Sequence, residues 1–185
     1  MKYSTQLLKE QVLEGIQPEY YFFWGHTPDK DGVPDKSCLS QWFPSAFTVD
    51  EMLYATAEHW MMAQKALLFG DEDAYYKILV TDKPAIAKTI GKTVKNFDED
   101  KWKELSYSIV VEGNKHKFSQ HPALKTFLLQ TKKKILVEAS PSDIIWGIGL
   151  SKNDEAATNP LKWRGTNLLG FALMEVRDML AINQQ

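Results

Sequence analysis

From Thr56 to Gln130 the sequence carries five helical segments in succession, each with its own start or stop signal. This run constrains the fold more than any other feature. It leaves no room for the regular strand–helix alternation that a doubly wound parallel sheet needs. Thr56 is placed to cap a helix beginning near Ala57, which runs through Glu58 to Phe69 and stops at Gly70. Three segments follow: Asp71–Val80, Lys83–Lys92 with Pro84 in its first turn, and a long amphipathic stretch, Glu99–Ser119. His121–Gln130, with Pro122 near its start, is the fifth.

Extended segments are short and scattered around this block. Tyr20-Tyr21-Phe22-Phe23-Trp24 reads as a buried strand. His26 to Lys36 holds Pro28, Asp29, Asp31-Gly32 and Pro34, the residues of a surface loop. Phe47–Tyr54 is extended with a turn near Asp50-Glu51, and Lys134–Glu138 is a further strand. A last helix spans about Asn167 to Ile182, with Leu169, Leu173, Val176 and Leu180 on one face. Residues 5–14 have helical spacing of Leu7, Leu8, Gln11 and Val12 and are expected to form a loosely attached arm. The reading is an α+β chain: a single compact helix-rich domain with a few short strands over residues 20–185, preceded by an arm over residues 1–19.

With 185 residues, 44% of them hydrophobic, the chain can bury a sizeable core. A net charge of -2 and a pI near 6.1 disfavour holding duplex nucleic acid by phosphate neutralisation. One cysteine, Cys38, allows neither an internal disulfide nor a multi-cysteine zinc site. The first residues lack the apolar core of a signal peptide, and no apolar run suggests a membrane span. A cytoplasmic protein is expected. The oligomeric state is open.

Three clusters carry chemistry. In Ala57-Glu58-His59-Trp60-Met61-Met62-Ala63-Gln64-Lys65, Glu58 and Lys65 are seven residues apart. Two helical turns place them on nearly one face, about 10 Å apart along the axis, so they can flank a ligand the size of a ribose and base. The alternative is a solvated pair on an exposed face. His59 stands beside one Glu without the second histidine of a zincin, so a hydrogen-bonded side chain is favoured over a metal ligand. No metal and no cofactor is expected.

The second cluster, Glu138–Gly149, runs strand, turn, acid, aromatic and then two glycines. Asp143 can accept from ribose hydroxyls or act on a water, Trp146 can stack on a base, and Gly147 permits close backbone approach. A structural turn, with Asp143 capping backbone groups and Trp146 in the core, is the competing reading. The third cluster is Trp163-Arg164-Gly165-Thr166-Asn167-Leu168-Leu169-Gly170, where a helix start with Arg164 favours phosphate. Ordinary capping by Thr166 or Asn167 would explain the same residues. Arg177 can point into the same cleft or pair with a carboxylate.

The stretches Leu39-Ser40-Gln41-Trp42-Phe43-Pro44, Tyr54–Ala66, Gly113-Asn114-Lys115-His116-Lys117-Phe118, Leu136–Gly149 and Asn167–Arg177, in this order, resemble the YbiA-like (NADAR) family over roughly residues 20–181. Gln41-Trp42 departs from the Asn-Phe or Asn-Trp pair of many relatives. The resemblance implies a helix-rich α+β domain and an N-glycosidase that cuts the ribose C1'–N bond of riboflavin-pathway intermediates. Its small phosphorylated ribosyl substrate would be 5-amino-6-ribosylaminouracil 5'-phosphate or a close relative. It also implies two alternatives: removal of ADP-ribose from modified guanine, the one nucleic acid form left open, or non-catalytic ADP-ribose binding. The candidate site is then Glu58, Lys65 and Asp143 for catalysis, with Trp42, His59, Lys115, Trp146, Gly147, Arg164 and Asn167 for substrate. The hydrolysis needs a carboxylate near C1', Glu58 or Asp143, or a Schiff base formed by Lys65. All of this requires the Glu58–Lys65 face and the Asp143–Trp146 turn to meet at one cleft.

Overall fold

A computed structural model describes residues 1–30 and 32–182. Asp31, part of the expected loop, lies outside them. The helix-rich α+β reading holds: seven α-helices and two two-stranded sheets lie among the described residues. The chain separates into two compact units, residues 41–122 and the combination of residues 1–40 with 123–185.

In the unit of residues 41–122, the extended segment Phe47–Tyr54 forms a hairpin. Its strands are β2, Phe47–Val49, and β3, Met52–Tyr54, paired antiparallel; β1 belongs to the other unit. Asp50 and Glu51 turn the chain with φ of 48° and 65°, the left-handed pair that matches strand twist in a two-residue loop. Four helices follow: α2, Ala57–Leu68; α3, Glu72–Val80; α4, Pro84–Lys92; and α5, Glu99–Gln120. Each starts where the sequence expects. Thr56, Asp71 and Asp98 cap α2, α3 and α5 through the amides of His59, Ala74 and Lys101. Pro84 opens α4. Helices α2 and α5 approach closely because Gly113 has no side chain. A Cβ there would lie 2.2 Å from the Trp60 ring. The Trp60 indole N–H reaches across to the Ile109 carbonyl at 2.8 Å.

The other unit pairs β1, Tyr20–Phe23, with β4, Ile135–Glu138, in parallel, from Tyr20↔Ile135 to Phe23↔Glu138. Helix α7, Leu168–Ile182, covers β4 with the expected Leu169, Leu173, Val176 and Leu180. Asn167, fully buried at φ 55°, anchors this packing. Its amide donates to the Leu136 carbonyl at 2.9 Å and accepts from the Glu138 N–H at 3.0 Å, as a neighbouring strand would. Helix α6, Pro122–Gln130, precedes β4.

Two expectations change here. Trp24 is not part of a buried strand: pairing ends at Phe23, and Trp24 is 60% exposed. The N-terminal segment is also not loose. Leu8 of α1, Thr5–Leu13, is buried. Lys2 and Tyr3 both bind the Asp178 carboxylate, and the Lys2 amide binds Glu175. Thr5 donates to the Thr166 carbonyl at 2.6 Å.

Candidate functional site

The sequence-predicted residues divide between the units. Trp42, Glu58, His59, Lys65 and Lys115 lie in residues 41–122. Asp143, Trp146, Gly147, Arg164 and Asn167 lie in the other unit.

In the first set, the start of α2 is sewn to the Leu39–Pro44 motif. The Glu58 amide donates to the Gln41 carbonyl at 2.9 Å. The Glu58 side chain is itself buried, 5% exposed. It sits in the first turn of α2, where the positive end of the helix dipole complements a carboxylate. From α5, Asn114 donates to the Gln41 side-chain oxygen and to the Val110 carbonyl. Lys117, one turn on, is fully buried, with its ammonium 5.7 Å from the Phe43 ring centre. Three of the five motifs therefore meet around Gln41. Two polar atoms in this cluster, Gln41 Nε2 and Asn114 Oδ1, are buried with no protein partner among the described residues. A donor and an acceptor left so cost about 1–3 kcal/mol each, so both atoms are open to a polar partner.

Gln41, Asn114 and Lys117 were not among the predicted site residues. For Asn114 and Lys117 the signal was present in α5. Ser106, Asn114 and Lys117 occupy its buried stripe beside Val110 and Phe118, where an amphipathic helix ordinarily carries apolar side chains.

His59 is buried at 1% exposure and fully hydrogen-bonded. Because the Thr81 carbonyl can only accept, Nε2 carries the proton and donates to it at 3.0 Å. Nδ1 then accepts from the Thr56 hydroxyl at 2.8 Å. Burial lowers the His59 pKa below its ordinary value, in keeping with this neutral form.

Lys65 is also buried, and its ammonium donates to the Gly91 carbonyl at 2.8 Å. It lies 4.0 Å from the Phe97 ring centre and 5.4 Å from that of Trp102. Burial lowers its pKa, while the carbonyl and ring faces favour the charged form. The arrangement ties α2 to the end of α4 and the start of α5. Lys115 pairs with Glu112 at 2.9 Å, and the half-buried Trp42 lies 5.8 Å from the Lys88 ammonium. Among the described residues no group of three His, Cys, Asp or Glu is placed to hold a metal ion, and no helix is long and apolar enough to cross a membrane.

In the other unit, the Asp143 carboxylate gathers the backbone N–H groups of Ile145 and Trp146 at 2.9 and 2.7 Å. This closes the turn at residues 143–149 into a strap. The Ile148 amide returns to the Glu138 carbonyl, and Gly149 N donates to the Asp143 carbonyl. The 164–169 segment locks the strap: Arg164 and Gly165 donate to Ile148, Thr166 to Ile144, and Asn167 to Gly147. A Cβ on Gly165 would lie 2.3 Å from the Gly147 carbonyl, so glycine is required at this crossing. Trp146 is half-buried, and the Arg164 side chain is exposed. Arg177 takes neither of its expected roles. It is buried and donates from one nitrogen to Thr131 Oγ1 and to the Lys134 carbonyl, both at 2.9 Å, bracing the turn between α6 and β4.

Comparison with known proteins adds the following. A family model described as the NADAR domain matches residues 22–181. The N-glycosidase R617 of Acanthamoeba polyphaga mimivirus is 44% identical over 165 residues, covering 86% of this chain and 95% of its own length. The N-glycosidase YbiA of Escherichia coli K12 is 30% identical over 154 residues, covering 83% and 86%. The NMR structure of E. coli YbiA matches with a TM-score of 0.72 at 27% identity, covering 91% of this chain and 89% of that one.

Proposed function

Because the chain belongs to the NADAR family and is a hydrolase of N-glycosyl bonds, we propose that its substrate is a phosphorylated ribosyl compound of the riboflavin pathway, such as 5-amino-6-ribosylaminouracil 5'-phosphate. The support for the class of compound is the resemblance to YbiA-like enzymes. The support for the chemistry is one observation: a buried carboxylate, Glu58, on a helix whose first turn is bonded to Gln41, while Asn114 of α5 is bonded to the same Gln41 and each of those two amides keeps one polar atom unspent.

Cleavage at C1' builds positive charge on the ribose ring oxygen and C1', and negative charge on the departing nitrogen. A desolvated carboxylate stabilises the first more strongly than it could in water. On this reading Glu58 faces C1' and accepts a proton from the attacking water, and the released nitrogen takes up a proton. The open donor of Gln41 and acceptor of Asn114 bind sugar hydroxyls. A covalent route needs a neutral lysine free to attack. The Lys65 ammonium, engaged by Gly91 and two rings, is assigned the positioning of α4 instead.

Incubation of the whole chain with the aminouracil ribotide is expected to release ribose 5-phosphate, and no release refutes this substrate. An ADP-ribosylated guanine oligonucleotide cleaved in its place would transfer the chemistry to that substrate. Borohydride added during turnover is expected to leave Lys65 unmodified; peptide mapping that finds a ribosyl adduct on Lys65 contradicts its assignment.

A further inference from the structure

We propose that the pocket between β1 and the turn from α6 to β4 binds a phosphate-sized oxyanion, a reading independent of the substrate assigned above. The pocket holds about 170 Å³ and is lined by Tyr21 of β1, Phe127 and Gln130 of α6, and Thr131 and Lys134 of the turn. All five lie in the unit of residues 1–40 and 123–185. At ~30 Å³ for each water, this is room for about five waters. One phosphate or sulfate fits, whereas sites for larger ligands begin near ~300 Å³.

The wall presents donors. The Lys134 ammonium pairs with Glu19 at 3.6 Å, and both side chains are open to water, 42% and 79% exposed. Such a pair is weak and gives way to a stronger anion. Lys134 is the last of three successive lysines, and Lys132 and Lys133 are exposed beside it. The Gln130 amide and the Tyr21 hydroxyl add uncharged donors. Burial raises the Tyr21 pKa, with Cys38 and Asp35 adding to it, so the hydroxyl keeps its proton. The Asp35 carboxylate is itself engaged by the Asp29 and Ser37 amides, at 2.6 and 2.7 Å. Phe127 packs edge-on against Tyr21, ring centres 6.2 Å apart, and this apolar wall strengthens each polar contact.

The wall is braced by a charge that lacks a counter-ion. Arg177 of α7 is 5% exposed, and one of its nitrogens donates to Thr131 Oγ1 and to the Lys134 carbonyl, both on pocket residues, at 2.9 Å. Its Nε is buried with no partner, and among the described residues Arg177 forms no ion pair. Asp178, the carboxylate next to it in sequence, is taken by Lys2 and Tyr3. The end of α6 supplies no substitute, because the Leu128 and Leu129 carbonyls accept from the Thr131 and Lys132 amides. An arginine stays charged at any working pH, and a buried charge without a partner is costly. An anion held at this wall supplies the opposite charge next to the residues that anchor the guanidinium.

The test titrates inorganic phosphate into the full chain at constant ionic strength, with chloride as the balancing ion, and follows the backbone amides of residues 130–134 by NMR. Wild type is expected to show saturable shifts there, with a Kd on the order of 1 mM. Lys134→Ala removes the ammonium but keeps the carbonyl that Arg177 uses, and is expected to weaken phosphate by about tenfold. Tyr21→Phe removes one hydroxyl and is expected to weaken it by about threefold. Lys133→Ala removes an exposed charge from the same turn, outside the pocket wall, and is expected to stay within about twofold. No saturable shift at these amides in wild type overturns the proposal. Equal weakening by Lys134→Ala and Lys133→Ala also overturns it, since the net charge of the turn would then account for the effect. Thermal unfolding of each variant is measured alongside. Should Lys134→Ala unfold early, Tyr21→Phe decides, and wild-type affinity in that variant overturns the site.

Discussion

Asn167→Ala is the substitution whose cost the structure sets most closely. The Asn167 amide holds the Leu136 carbonyl and the Glu138 N–H, both on β4 beneath α7. Alanine strands both backbone groups, and a buried unpaired group costs about 1–2 kcal/mol. It also forces a side chain without a compensating hydrogen bond to hold φ of 55°, which adds about 1 kcal/mol. The expected loss is about 3–5 kcal/mol, a large part of the ~5–15 kcal/mol that holds most domains together. Asn167→Gly strands the same two groups but adopts positive φ freely, so it is expected to recover about 1 kcal/mol relative to alanine. Urea unfolding followed by circular dichroism measures both, provided the slopes with denaturant agree. A loss below 1 kcal/mol for Asn167→Ala would refute the strand-mimic account. Equal losses for alanine and glycine would refute the backbone part of it.

Gly113→Ala is expected to destabilise by about 1–3 kcal/mol, because its Cβ would fall 2.2 Å from the Trp60 ring and separate α2 from α5; unchanged denaturant midpoints would contradict that packing. His59 carries a pH signature. The unfolded chain protonates it near its ordinary 6.5, whereas burial holds the folded value lower. Below pH 6.5 the unfolded state then binds more protons, so stability falls as pH falls. In His59→Gln that part of the decline is expected to flatten, and parallel profiles for the two proteins would show that His59 is not buried neutral.

Most element boundaries were legible because they are local. Thr56 and Pro84 each declare a helix start through their own side chain or ring. The pairing of β1 with β4 was not, since the strands lie far apart in sequence and nothing in Tyr20–Phe23 names its partner. Trp24 was misplaced for the same reason: an aromatic run looks continuous, while the ladder that buries it ends at Phe23. In the site, the spacing of Glu58 and Lys65 was readable, but the destination of the lysine depends on Gly91 and Phe97, supplied by α4 and the turn before α5. Arg177 illustrates the same limit: its guanidinium braces Thr131 and Lys134, partners that its own sequence neighbourhood does not name. The Asp143 carboxylate gathers strap amides, one of its two sequence readings.

The central claim is that the buried carboxylate on α2 carries the bond cleavage. Ribose 5-phosphate release from the aminouracil ribotide by wild type and Glu58→Gln tests it most directly. The glutamine keeps the volume and the backbone contact to Gln41 while removing the charge. The account predicts a fall in kcat of about 100-fold or more with unfolding unchanged. Release at the wild-type rate by a folded Glu58→Gln protein would contradict it.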